Sequence, residues 1–199
     1  MAALRSRLIA TTALFTALTL ALNLSPIKIP FPLAPFLYYQ IWEIPIIAAL
    51  LLYGLKVGVI ITLINTAALI ALFPGALPTG PFYNMVAVLS MLLGVTLASR
   101  IKHLASSERV LPLLLSTFLG VVSRVVVMTI MNYALLRYPP PIGFSMPEEA
   151  ITPLLPIIGV FNATITLYTI PIGIIVSKAV AAKIKTLNKV ALNKLAAKL

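Results

Sequence analysis

The sequence has no cysteine and no aspartate, a single histidine, and four acidic residues against fifteen lysines and arginines. Without cysteine there are no disulfides, no thiolate nucleophiles and no iron–sulfur ligands, and one histidine with four glutamates leaves little from which to build a metal site. Nor is there a GxxxxGK(S/T) loop or the magnesium-binding aspartate of P-loop enzymes, which argues against nucleotide hydrolysis on this chain. An ATP-driven step would have to be supplied by a partner. Charged residues are also scarce, 10% of 199, while 61% are hydrophobic and the mean hydropathy is +1.09. Soluble domains are ~45–50% apolar, so the composition is that of an integral membrane protein. At about 20 apolar residues per crossing, the length fits six membrane helices with no soluble domain left over.

The net charge of +11 raises the question of nucleic acid. The basic residues sit at the ends of apolar runs, not along one continuous face, so a membrane topology accounts for them and nucleic acid is not expected as a partner. The first run, Leu8 to Leu24, is uncharged and follows Arg5 and Arg7. A signal peptide shares that pattern, but the five apolar segments that follow favour a first membrane helix. Ser25 and Pro26 end it. Residues 25–40 then carry Pro26, Pro30, Pro32 and Pro35 in an alternating pattern, with Ile27, Ile29, Phe31 and Leu33 apolar, which suits an extended or hairpin-like loop.

Ile41 to Tyr53 is short and contains Glu43 and Pro45, so it reads as a tilted helix or one that begins below the membrane surface. Gly54-Leu55-Lys56 turns the chain into a third span, Val57 to Phe73, and a Pro/Gly-rich loop at 74–81 precedes the fourth, Phe82 to Ala98. Arg100, Lys102, His103, Glu108 and Arg109 form a polar connection, with His103 read as a solvated loop residue. The fifth span, Val110 to Leu136, holds one charge, Arg124. A loop at 137–150 with Glu148 and Glu149 leads to the sixth, Ile151 to Ala181, where Pro171 is expected to kink the helix. The membrane domain is therefore 1–182, followed by a basic tail, 183–199, whose Leu187, Ala191, Leu195 and Leu199 at four-residue spacing suggest an interfacial or frayed helix.

Lysine and arginine bias orients the chain. Lys28 and Arg137 alone fall on one side and Arg124 lies within a span, while the remaining basic residues share the other side with both termini. This places the termini in the cytoplasm of a plasma-membrane protein and the three Pro/Gly-rich loops outside. Irregular backbone at a membrane face must be covered by protein or line a cavity, so these loops suggest a capped pocket.

Its candidate lining is Asn84, Arg124, Asn132, Tyr133, Asn162, Thr164 and Thr166, with Phe36, Tyr38, Tyr39 and Trp42 from the first loop. Aromatic rings suit a planar ligand, and amides match its donor and acceptor edges. Each has a plainer reading: Tyr38, Tyr39 and Trp42 as interfacial anchors, Asn132 and Asn162 as interhelical hydrogen bonds. Arg124 lies near no acid in sequence and needs a partner or water. Glu43 is best explained by favourable interaction with a helix N-terminus. On the first span, Ala10, Ala13, Ala17 and Ala21 form a smooth ridge, for a partner subunit or for packing within the chain.

These residues resemble a known family. Phe31-Pro32-Leu33-Ala34-Pro35-Phe36-Leu37-Tyr38-Tyr39-Gln40-Ile41-Trp42-Glu43-Ile44-Pro45, followed by Gly54-Leu55-Lys56-Val57-Gly58, are similar to the substrate-binding S components of energy-coupling factor (ECF) transporters. The riboflavin-specific branch fits best: the run from Arg124 through Met128 to Asn132-Tyr133 resembles its fifth-helix pattern, and Phe161-Asn162 the start of its sixth-helix motif. The resemblance implies vitamin capture from outside, with Asn132 and Asn162 hydrogen-bonding riboflavin and the first loop closing over it. It also implies a transmembrane T subunit, met by Ala13, Ala17 and Ala21, two cytoplasmic ATPases, and toppling of the S component within the bilayer to release its cargo inward. Tyr38 and Gln40 stand where that branch usually has Lys and Asp, and Ile165 where it has Lys, so another vitamin or precursor stays open.

Two other classes compete. A membrane-embedded transferase or hydrolase would have to rest its acid–base chemistry on Glu43 or the Glu148–Glu149 pair. An assembly subunit that binds no small molecule would use the alanine ridge and treat the loops as connectors.

Overall fold

A computed structural model describes residues 2–73, 79–102 and 111–196, with side chains described for 6, 8–73, 79–101 and 111–184. The loop at 74–78, the connection at 103–110 with His103, Glu108 and Arg109, and the side chains of the basic tail beyond 184 lie outside the described residues.

The order is α1 (Ala2–Leu24), β1 (Ile29–Phe31), β2 (Ala34–Tyr39), α2 (Ile44–Tyr53), α3 (Leu55–Leu72), α4 (Thr79–Lys102), α5 (Leu111–Leu135) and α6 (Glu148–Ala196). Helices α3, α4, α5 and the Glu148–Ile184 part of α6 are long and apolar enough to cross a membrane; the apolar stretches Leu8–Leu24 and Ile44–Tyr53 are shorter. The bundle also turns apolar side chains outward, as a lipid-facing surface requires: Ile9, Leu14, Phe118, Ile130 and Ile175 are all well exposed. Helix α6 continues past Lys183 to Ala196 and holds Pro153, Pro156 and Pro171 without a break.

The expected hairpin-like first loop is a two-stranded antiparallel hairpin, with Ile29 opposite Tyr39 and Pro30 opposite Tyr38, and a register shift between Pro30 and Phe31. Proline cannot donate to a ladder, so a two-stranded hairpin, where every strand is an edge, is where it is tolerated. Helix α2 has ten residues, about 15 Å at 1.5 Å per residue, roughly half a bilayer core. It is covered by protein: Pro45 to Leu50 are buried and the helix packs against α1, α3 and α6. Gly54, at φ 90°, provides the tight turn into α3 in a region of backbone space that side chains avoid.

Helices α4 and α5 approach closely at Gly94, where a Cβ would lie 2.3 Å from the Leu119 carbonyl oxygen. Ser123 Oγ donates to the Ser90 carbonyl across the same pair at 2.7 Å. On the other side of the bundle Asn23 Nδ2 donates to Asn65 Oδ1 at 3.3 Å, joining α1 to α3. One apolar cluster surrounds α2, with Trp42, Ile46, Ile47, Ile61, Met91 and Ile170. A second lies toward the hairpin end between α4, α5 and α6, with Tyr83, Met128, Met131, Ile151 and Ile158, against which Leu37 packs from β2.

Candidate functional site

The partner that Arg124 requires is Glu43, 81 residues away in sequence. The guanidinium makes a two-pronged contact: Nη1 with Glu43 Oε2, and Nη2 donating to Glu43 Oε1 at 3.0 Å. Nε donates to Asn162 Oδ1 at 2.9 Å, and Nη1 also faces Met91 Sδ at 3.8 Å. Both charged side chains are 2% exposed. An arginine at the centre of a membrane helix costs about 2.5–3.5 kcal/mol on insertion scales. A forked carboxylate contact is the arrangement that offsets this, because it cancels the charge and satisfies the planar donors together.

This corrects the expectation for Glu43. It sits at the N-cap of α2, but its side chain makes no capping bond; its carbonyl accepts from the Ile46 and Ile47 amides while its carboxylate turns to α5. The half-length of α2 is the cause, since a helix starting deep in the bundle brings its first acid level with the middles of α4, α5 and α6. The same depth buries Trp42, 2% exposed among Phe15, Ile46 and Ile47, so it is neither an interfacial anchor nor a pocket wall.

Asn162 is buried, with Nδ2 donating to the Ile158 carbonyl at 2.9 Å. Asn132 is buried two turns along α5 from Arg124, its Nδ2 on the Met128 carbonyl at 2.7 Å. Thr166 is fully buried and bonds the Asn162 carbonyl. Arg124, Asn132, Asn162 and Thr166 are thus a buried polar group, and the apolar cluster of Tyr83, Met128 and Met131, against which Leu37 of the hairpin packs, adjoins it.

The first-loop aromatics do not act together. Side chains alternate across a strand, and Tyr39 faces α6, its hydroxyl 2.7 Å from Thr164 Oγ1 and its ring against Phe31, Phe161 and Tyr168, while Phe36 and Tyr38 are exposed, Phe36 at 63%. Tyr133 also faces outward, bonded to Glu148 at 3.4 Å with the Arg137 guanidinium 4.9 Å from its ring. Asn84 is exposed at the start of α4 and borders a cavity of about 260 Å³ with Asn23, Lys28 and Gln40. The expected lining is thus split between a buried group (Arg124, Asn132, Asn162), the hairpin–α6 contact (Tyr39) and the surface (Phe36, Tyr38, Asn84, Tyr133). Missed by sequence reasoning were Met91, which nothing marked, and the Gln40 carbonyl, which accepts from Tyr168 at 2.6 Å.

Ala10, Ala13, Ala17 and Ala21 all face away from the bundle, while Phe15, Thr16, Thr19 and Asn23 face into it. Of the two readings of the ridge, packing within the chain is therefore not the one realised among the described residues.

The fold is a helical membrane bundle with a buried polar interior. The bundle superposes on a solved structure of the S component of a bacterial ECF transporter with a TM-score of 0.71, covering 91% of this chain and 99% of that one at 22% sequence identity. The chain therefore has the fold of an ECF-transporter S component. No protein-family model matches the sequence, and no curated protein does.

Proposed function

We propose that this chain is the substrate-binding subunit of an ECF-type vitamin uptake transporter and that riboflavin is its cargo. The observation that carries the reading is the buried Arg124–Asn162 contact inside the bundle, on an S-component fold. Asn132 and Asn162 hydrogen-bond the ligand, the adjoining apolar cluster packs against its ring, and the hairpin closes the site. The chain is not an enzyme on this reading: its one buried acid among the described residues is held by Arg124. On this reading the six apolar helices are six crossings, with the short α2 shielded by its neighbours, and the charge bias puts both termini in the cytoplasm of a plasma-membrane protein. The outward alanine face of α1, Ala13, Ala17 and Ala21, meets a transmembrane T subunit, which couples the chain to two cytoplasmic ATPases.

A second reading, an S component for another vitamin or precursor, is favoured by Ile165. This residue stands where the riboflavin branch has a lysine, and it is packed in an apolar cluster with Phe31, Ala34 and Phe161 under the hairpin. The test is to purify the chain alone in detergent, record its visible absorption, and titrate riboflavin against flavin fluorescence. Yellow protein, or saturable one-to-one quenching at submicromolar concentration, supports riboflavin. A colourless protein that ignores riboflavin but is stabilised by another vitamin supports the second reading; one that responds to none points to an assembly subunit.

A further inference from the structure

The Arg124–Glu43 pair does more than neutralise a buried charge, because one of the guanidinium donors that Glu43 leaves unused, Nε–H, is spent on Asn162. Nε donates to Asn162 Oδ1 at 2.9 Å, while Asn162 Nδ2 donates to the Ile158 carbonyl at 2.9 Å. An amide has two faces, and its orientation is ordinarily ambiguous. Here it is not: turning it over would set its NH₂ against a guanidinium, which can only donate, and its oxygen against a carbonyl, which can only accept. The guanidinium is itself held in place by Glu43 through both outer nitrogens, with Met91 Sδ on Nη1. Glu43, Arg124 and Asn162 thus form a chain in which each member fixes the next. Asn132 is different, since its side chain is tied to its own helix through the Met128 carbonyl.

We infer that the Glu43–Arg124 pair is a positioning device that fixes the orientation of the Asn162 side-chain amide, its oxygen turned to the guanidinium and its second N–H left to offer, so that the ligand group favoured there is a hydrogen-bond acceptor. This deepens the proposed function and rests on it for the ligand. A carbonyl oxygen or unprotonated ring nitrogen meets the requirement; a ring N–H would have to share an oxygen already accepting from a guanidinium, and an ammonium group would in addition face that like charge. Arg124 is a positioning residue in this scheme: it sets the polarity of Asn162 without touching the ligand.

Two substitutions separate positioning from simple support. Arg124→Lys keeps a cation for Glu43 but loses the Nε–H on Asn162. Glu43→Gln keeps that N–H in place but strips the counterion from a buried guanidinium. If the pair positions Asn162, Arg124→Lys loses more riboflavin affinity, about tenfold or more, while Glu43→Gln loses more thermal stability. If the pair is only structural, affinity falls in step with stability across the two variants, and the inference is overturned.

A ligand-free readout keeps the result separate from the identity of the cargo. With seven asparagines in the chain, selective ¹⁵N-asparagine labelling in detergent gives a small set of side-chain amide signals, and Asn162→Ala identifies the pair belonging to Asn162. Slow solvent exchange of that pair in the wild type and in Glu43→Gln, with loss of protection in Arg124→Lys, supports the device. Equal protection in Arg124→Lys overturns it. If wild-type protein ignores riboflavin, the riboflavin assignment fails and the amide signals alone decide the inference.

Discussion

The interior at Glu43, Arg124 and Asn162 and the outer face of α1 are built on opposite principles. In the interior, three polar side chains from three separate segments are buried and each is fixed by directional bonds to the next. On α1, four alanines line an exposed stripe with no directional group at all, and the same helix sends Phe15, Thr16, Thr19 and Asn23 inward. Directional bonding gives one geometry and tolerates little change. A smooth alanine face lets another helix approach closely. On the proposed function, the interior would serve recognition and the alanine face assembly.

The sharpest way to break this contrast is to remove one partner of the buried pair. Glu43→Ala leaves Arg124 uncompensated, and breaking such a pair costs about 3–5 kcal/mol; thermal unfolding in detergent should show a larger loss than any of the single changes below. Replacing both members, as Glu43→Leu with Arg124→Met, should recover much of that stability while abolishing the hold on Asn162. A double variant as unstable as the single one would mean that the pair is not the source of the loss.

Gly94→Val comes next. A Cβ there already meets the Leu119 carbonyl at 2.3 Å, so α4 and α5 must separate, at a cost of about 1–3 kcal/mol typical of overpacking. Unfolding temperature is again the readout, and an unchanged value would mean the two helices do not cross so closely.

Asn162→Ala addresses ligand binding. An unmade buried hydrogen bond costs about 1–3 kcal/mol, or roughly 5- to 150-fold in affinity, so riboflavin should bind much more weakly to a protein that still folds. The smallest effect on the isolated chain is expected from Ala17→Leu. Stability should stay within about 0.5 kcal/mol, as for surface changes generally, and riboflavin affinity should not move. Co-purification with the T subunit should be lost, and if it survives, the alanine face is not the contact.

Much of the architecture is legible in the sequence because membrane helices announce themselves by continuous apolar runs, and because four prolines among alternating apolar residues suit an extended or hairpin-like loop. Arg124, Asn132 and Asn162 are legible as residues that a span must explain. The pairing is not. Glu43 and Arg124 are separated by 81 positions, and they meet because α2 starts partway into the bundle; the short run at 41–53 allows that start but does not say which helix its acid will face. The same depth turns Trp42 from an expected surface aromatic into core. For the hairpin, the period of two is visible, but prolines and a register shift hide which face is covered, so Phe36 and Tyr38 group with Tyr39 in sequence although they point the other way.

The most direct test of the central claim, that the polar interior is the ligand site and the alanine face is not, is to titrate riboflavin into wild-type, Asn162→Ala and Ala17→Leu proteins side by side, following flavin fluorescence. The account predicts saturable one-to-one quenching at submicromolar concentration for wild type and Ala17→Leu, and an affinity lower by about tenfold or more for Asn162→Ala. Indistinguishable curves for all three, or no quenching by the folded wild-type chain, would contradict it.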